Sequence, residues 1–227
     1  MKKYAIIDLD DTLLDFTRGE NEGVTQLLKK YGVTDVQRGL ATYVQINRNV
    51  WHQIELGADR GPLLNTRFTQ AFDAMGIAVD GIALEKQYKS MLDHNYYTLP
   101  GATALLTALN HAGVTVIAGT NGTKSIQLNR LSGAHLADYF DSIFISEDVG
   151  YDKPDARFFA PIFKQYPAMS AANTVMVGDS LHSDILGATN AHLDSIWFNP
   201  RHTAASATYR PTHEVDSFTA LKQLLLA

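Results

Sequence analysis

The sequence predicts an α/β protein: a doubly wound, mostly parallel Rossmann-like sheet with an all-helical segment inserted after the first strand. Three observations point there. Short apolar runs recur at residues 3–9, 114–119, 142–146, 173–178 and 195–198. Runs of this length without polar alternation suit strands buried on both faces. From residue 98 onward, helical spacings lie between these runs, the alternation that builds βαβ units. Residues 17–97, by contrast, carry helical patterns and no convincing strand.

Each element has its own signal. The first run, KYAIIDL, passes directly into acids. In the insertion, Val24, Leu27, Leu28 and Tyr31 mark one apolar helix face, and Phe68, Phe72 and Met75 mark another. Gly32, Gly57, Gly61-Pro62 and Gly76 punctuate them. Tyr43 and Trp51 are read as packing inside this bundle rather than stacking on a base. Leu99-Pro100-Gly101 is the re-entry turn. Leu105, Leu106 and Leu109 mark a helix ended by Gly113. Phe158, Phe159, Ile162, Phe163 and Tyr166 mark another, with Lys153-Pro154-Asp155 as its first turn. Phe218, Leu221, Leu224 and Leu225 mark a closing helix. The expected division is a core of residues 1–16 and 98–227 and a helical insertion of 17–97.

Composition narrows the function classes. A chain of 227 residues with 45% hydrophobic and 19% charged residues can bury a full core. A net charge of −5 argues against binding a nucleic acid polymer, which calls for a basic face. The absence of cysteine excludes disulfides, thiolate metal sites and a cysteine nucleophile. The apolar run before Asp8 is too short for a signal peptide, and nothing approaches the ~18 apolar residues of a membrane span. A soluble, cytoplasmic protein with no membrane partner is expected, a monomer or homodimer. No zinc-binding histidine spacing, GxGxxG or Walker A pattern occurs.

The chemistry gathers where strands end. Asp8, Asp10 and Thr12 follow the first strand, Thr120 and Asn121 the second, Lys153 opens a helix after the third, and Asp179 and Asp184 follow the fourth. Open α/β sheets form their sites beyond the carboxyl ends of strands near the switch point, so these distant residues are expected to meet. Asp8, Asp10 and Asp179 can supply hard oxygen ligands. Crowded carboxylates repel one another, and a divalent cation relieves them; oxygen ligands favour Mg²⁺. Lys153 adds a point charge and Thr120 a hydroxyl, which together suit a phosphate better than a neutral substrate. With cysteine absent, an aspartate is the expected nucleophile.

Asp8-Leu9-Asp10-Asp11-Thr12, Thr120, Lys153-Pro154 and Gly178-Asp179 with Asp184 resemble, in order, the four motifs of the haloacid dehalogenase superfamily. The insertion is similar to that family's cap domain. The resemblance implies that Asp8 attacks phosphorus to form an aspartyl-phosphate, and that Asp10 protonates the leaving oxygen and then activates water. It implies that Thr12 orients the loop beside the substrate and that Thr120, with the Asn121 backbone, holds the phosphoryl group. Lys153 would balance its charge. Mg²⁺ would be held by Asp8, the Asp10 carbonyl and Asp179, with Asp184 as an indirect ligand or anchor. The cap would act as a lid hinged near 15–18 and 97–101.

Residues also separate the branches of the family. An alkyl halide needs no leaving-group proton, so Asp10 argues against dehalogenation. Asp11 stands where sugar phosphomutases usually carry glycine. DDTLLDF, TNG, ISEDVG and GDSLHSDILGA resemble the pyrimidine 5′-nucleotidase group, with His192 where that group is expected to have glycine. The expected substrate is a small phosphate monoester, a nucleotide first. A sugar or acyl-sugar phosphate phosphatase, a phosphomutase and a non-catalytic binding module are the alternatives. Phe16 is a candidate to stack on a base, against core packing. Asp11 and Asp15 are read as turn acids, His182 as a bystander, Arg201-His202 as a surface loop, and Lys124 and Arg130 as a solvated helix face.

Overall fold

The computed structural model describes residues 2–227. The chain forms two units, residues 2–15 with Tyr96–Ala227, and Phe16–Asn95. The first is built on a six-stranded parallel sheet: β1 (Tyr4–Ile7), β2 (Thr115–Thr120), β3 (Ser142–Ile145), β4 (Thr174–Gly178), β5 (Asp194–Phe198) and β6 (His213–Val215). Their order is β3-β2-β1-β4-β5-β6. The order reverses at β1, which places the switch point there. Ile7 pairs with Ala118 of β2 and Val177 of β4, so the three strands end at one level.

Alternate residues of each strand feed two cores. Ala5, Ile7, Val116, Ala118, Val175 and Val177 pack on one face with Leu105, Leu106, Leu221 and Leu225. These leucines belong to two helices, Ala102–His111 and Phe218–Leu226. Ile6, Ile117 and Met176 pack on the other face with Phe158, Phe159 and Ile162. This two-sided burial explains why the strands read as continuous apolar runs. Strand β6 has the sequence HEV with two of its three residues exposed, so it carried no such signal.

Phe16–Asn95 is all helical, with α1 (Phe16–Lys30), α2 (Val36–Glu55), α3 (Arg60–Asp73) and α4 (Gly81–Asp93). Asp35, Asp59 and Asp80 cap the last three by accepting from Arg38, Gly61 and Ala83 backbone N–H groups. Each helix packs on the next, and α1 closes on α4. Val24, Leu27, Leu28, Phe68 and Phe72 are buried as the periodicity requires, and Tyr43 is fully buried beside Phe68. Trp51 is half-buried under the Arg60 guanidinium. The centre of this bundle is polar. Arg67 donates to both Glu85 oxygens at 2.8 and 2.9 Å and to Asn47 Oδ1 at 2.8 Å. Asn47 and the Tyr88 hydroxyl in turn donate to Glu20 Oε1, at 2.7 and 3.3 Å.

The other helices are α5 (Ala102–His111), α6 (Lys124–Gly133), α7 (Ser146–Val149), α8 (Ala160–Gln165), α9 (Leu186–Asn190) and α10 (Phe218–Leu226). The helix expected to open at Lys153 does not. Asp155 accepts from Arg157 N–H and starts a single 3₁₀ turn, Ala156–Phe158, and α8 begins only at Ala160. Phe158, Phe159 and Ile162 are buried all the same. His192 has φ 55°, the left-handed conformation that ends many helices at glycine, and it lies just past α9. Among the described residues, no helix is long and apolar enough to cross a membrane.

Two stability measurements follow. His192→Val is expected to be less stable than His192→Gly by about 1–2 kcal/mol, because a branched residue strains this backbone; equal melting curves would refute this. Arg67→Leu removes the bidentate partner of the buried Glu85 carboxylate and is expected to cost about 3–5 kcal/mol. Hydrogen exchange would show it as lost protection across residues 16–95.

Candidate active site

The site lies in the sheet unit, where β1, β2 and β4 end. The backbone N–H of Asp8 donates to Val177 O at 2.9 Å, extending the β1–β4 pairing to the acid itself. The loop after it is pinned by buried Leu9, Leu13 and Leu14, and both Leu13 and Leu14 N–H groups return to Leu9 O. Fully buried Thr12 donates to Asp8 Oδ2 at 3.4 Å and accepts from Asp179 N–H at 3.1 Å. Its hydroxyl therefore joins the loops that follow β1 and β4. Asp179 is held from the other side, its carbonyl accepting from the Trp197 indole at 2.7 Å.

Lys153 is 1% exposed and makes three bonds with its three ammonium protons. It donates to Asp8 Oδ1 at 2.8 Å, Asp184 Oδ1 at 2.7 Å and Gly119 O at 2.5 Å. Its backbone is clamped by Asn121, whose side chain accepts from Lys153 N–H and donates to Lys153 O, both at 2.8 Å. Lys153 thus reaches the acids from a loop, not from the helix start that its sequence context predicts. Asp184 sits on a π-helical turn, Leu181–Ile185, and its second oxygen accepts from Ser180 N–H at 3.0 Å. Gly178 is required beneath it, because a Cβ there would overlap the Asp184 carboxylate.

Asp10 and Thr120 meet on α6. Thr120 Oγ1 accepts from Gly122 N–H at 3.0 Å and from Gln127 Nε2 at 2.9 Å. Gln127 Nε2 also donates to Asp10 Oδ2 at 2.9 Å, and Arg130 is ion-paired with Asp10 Oδ1. Gln127 and Arg130 are each 1% exposed, whereas Leu128 between them is 40% exposed. Arg130 is therefore not part of a solvated face, and Gln127 is a site-facing residue that carries no motif signal in the sequence. The inward face of this helix carries the polar Gln127 and Arg130, so apolar spacing does not reveal it; Lys124, which pairs with Asp148, is exposed as expected.

The loop cluster thus brings together Asp8, Asp10, Thr12, Thr120, Asn121, Lys153, Asp179 and Asp184. Phe16 is half-buried at the start of the helical unit. Asp11 is ion-paired with Arg201 at 3.2 Å and has φ 55°, which fits the glycine expected there in phosphomutases.

Charge in the cluster is unbalanced. Burial, aided by the Asp184 and Asp10 charges and opposed by Lys153, pushes Asp8 up to about 7. Asp179 is raised well above its ordinary value by burial, then by the Asp184 and Asp8 charges. Burial by itself would lower Lys153, but the Asp184 and Asp8 carboxylates outweigh it and hold the ammonium above its ordinary range. Asp8, Asp179 and Asp184 each offer one oxygen within 4.8 Å of the others. An all-oxygen donor set with excess negative charge fits a hard divalent cation.

Comparison with known proteins places the chain beside characterised relatives. The family model described as haloacid dehalogenase-like hydrolase matches residues 2–192. Pyrimidine 5′-nucleotidase PynA of Streptococcus pneumoniae is 41% identical over 98% of this chain and 94% of its own. Pyrimidine 5′-nucleotidase YjjG of Escherichia coli is 32% identical over 98% of this chain and 97% of its own. The crystal structure of the HAD-hydrolase YfnB from Bacillus subtilis, bound to magnesium, superposes with a TM-score of 0.92 at 32% identity, covering 100% of this chain and 99% of its own.

The crowding has a measurable consequence. A carboxyl raised in the folded state binds more protons there than in the unfolded chain, so its contribution to stability falls as pH rises above roughly 4. In chelator, Asp179→Asn is expected to melt higher than the wild type at pH 8, by about 1 kcal/mol, and to match it near pH 4. A lower melting point at pH 8 would show that the ionised Asp179 is not strained.

Proposed function

Because this chain belongs to the haloacid dehalogenase-like hydrolases, we propose that it is a phosphomonoesterase acting on pyrimidine nucleoside 5′-monophosphates, with Asp8 as the nucleophile and Asp10 as acid and base. The observation that carries the reading is a buried Asp8 bonded to Lys153 at 2.8 Å in a loop that holds a second acid two residues on. A nucleophilic carboxylate alone suffices for an alkyl halide. An alkoxide leaving group needs a proton, and Asp10 is the acid that would supply it. The nucleotide preference is supported by the two nucleotidase relatives, both matched along nearly their whole length.

The steps follow from the chain's own groups. Asp8 forms a bond to phosphorus as the bond from phosphorus to the ribose oxygen breaks, and the Asp10 proton passes to that oxygen. Water then gives a proton back to Asp10 while its oxygen bonds phosphorus, and the Asp8–phosphorus bond breaks. Lys153 holds the Asp8 carboxylate in position and offsets charge through both halves. Thr120 donates to a phosphoryl oxygen. The Asp8 and Asp179 carboxylates and the Asp10 carbonyl would hold Mg²⁺, with Asp184 anchoring from behind. When bound, Mg²⁺ supplies positive charge to the phosphoryl oxygens and relieves the carboxylates.

Phosphate release from dUMP, dTMP, CMP, AMP and several sugar phosphates tests this reading. Release is expected with Mg²⁺, to be abolished by EDTA, and to fall by at least ~10³-fold in Asp8→Asn. Preference for the pyrimidine nucleotides supports the substrate; preference for a sugar phosphate overturns it and leaves the mechanism. Undiminished release by Asp8→Asn overturns the mechanism.

A further inference from the structure

We propose that Gln127 of α6, itself oriented by Arg130, is a positioning residue that sets both Thr120 and Asp10 for phosphoryl transfer. The proposal rests on the acid–base and phosphate-binding roles given above to those two residues.

The argument is one of hydrogen-bond capacity. A carboxamide has one acceptor oxygen and two donor protons. Arg130 Nη1 donates to Gln127 Oε1 at 3.0 Å, which fixes which end of the amide is which. The two Nε2 protons are then assigned to Asp10 Oδ2 and Thr120 Oγ1, each at 2.9 Å. A threonine hydroxyl has two lone pairs and one proton. Gln127 takes one lone pair and Gly122 N–H takes the other, at 3.0 Å. The Thr120 proton is left as the group with which it bonds something else, so the hydroxyl is held as a donor, the polarity that a phosphoryl oxygen requires. Beside the Arg130 guanidinium already paired with Asp10 Oδ1, the same amide places a positive dipole end on Asp10 Oδ2, where charge develops as its proton leaves. Such donors act without reorganisation because they are already in place.

Burial makes this arrangement specific. Gln127 and Arg130 are each 1% exposed, so the amide and its bond to the equally buried Thr120 are shielded from water. Gly122 belongs to the same device. A Cβ there would collide with the Gln127 amide, with its nearest atoms Nε2, Cδ and Cγ. Glycine at this position is what leaves room for the side chain.

The test is a mutant cycle with two substrates. Gln127→Met keeps length and fills the space. It is expected to lower kcat for dUMP about 100-fold while KM changes less than about threefold, the signature of lost transition-state support. The fall should be about tenfold smaller for p-nitrophenyl phosphate, whose leaving group needs little protonation. Gly122→Ala, which leaves the glutamine in the chain and displaces its amide, should give the same pattern. The double variant should be no worse than the more impaired single one, because both remove one device. Equal losses for both substrates, a raised KM at unchanged kcat, or fully additive effects would overturn the proposal. Wild-type rates in Gln127→Met beside inactive Asp8→Asn and Asp10→Asn would overturn it alone. Full activity in Asp8→Asn would overturn the underlying mechanism and the proposal with it.

Discussion

Three carboxylates and one ammonium share the end of the sheet, and the ammonium is the group on which the others depend. Lys153 bonds Asp8, Asp184 and the Gly119 carbonyl, drawn from three separate chain segments. All three of its protons are used, so it tolerates little displacement. Buried charges persist only where they are paired and hydrogen-bonded, and here one cation serves two acids directly. Asp179 remains without comparable support, which is why burial and its acidic neighbours raise it so far. The three carboxylates outnumber the one ammonium by two charges, the condition under which a divalent cation is drawn in.

The sheet turns this local chemistry into fixed geometry. Parallel registers bring Ile7, Ala118 and Val177 to one level, so residues that follow them meet without long loops. Thr12 and Trp197 then lock the Asp179 backbone. A second layer on α6 serves the opposite side of the site, where Gln127 and Arg130 face Asp10 and Thr120. One side gathers acids for a cation, and the other fixes the polarity of donors and acceptors. The proposed phosphoryl transfer would use both, since it needs charge stabilisation and a managed proton.

The helical unit solves a different problem. Its centre is a polar network around Arg67, Glu85, Asn47 and Glu20, surrounded by Tyr43, Phe68 and Tyr88. An apolar core would hold the helices together without choosing one register. A buried guanidinium bonded on several sides accepts few alternatives.

Much of this was legible in the residues alone. Strands β1 to β5 announced themselves because burial on both faces produces unbroken apolar runs, and the insertion did so because helical spacing is a local property. The motif acids were legible because they sit immediately past those runs. What sequence could not reveal were facts that depend on partners far along the chain. Arg130 looks like a solvated cation until the fold sets Asp10 beside it, 120 positions away. Gln127 has no distinguishing neighbour until Thr120 and Asp10 converge on it. Lys153 was identified by its motif, yet its loop geometry depends on the Asn121 clamp, and β6 waited for an edge to pair with. Periodicity and strand ends therefore determined the architecture and the acids proposed for catalysis. The tertiary structure alone decided which polar side chains turn inward, because burying a polar group is favourable only where the partner is already in place.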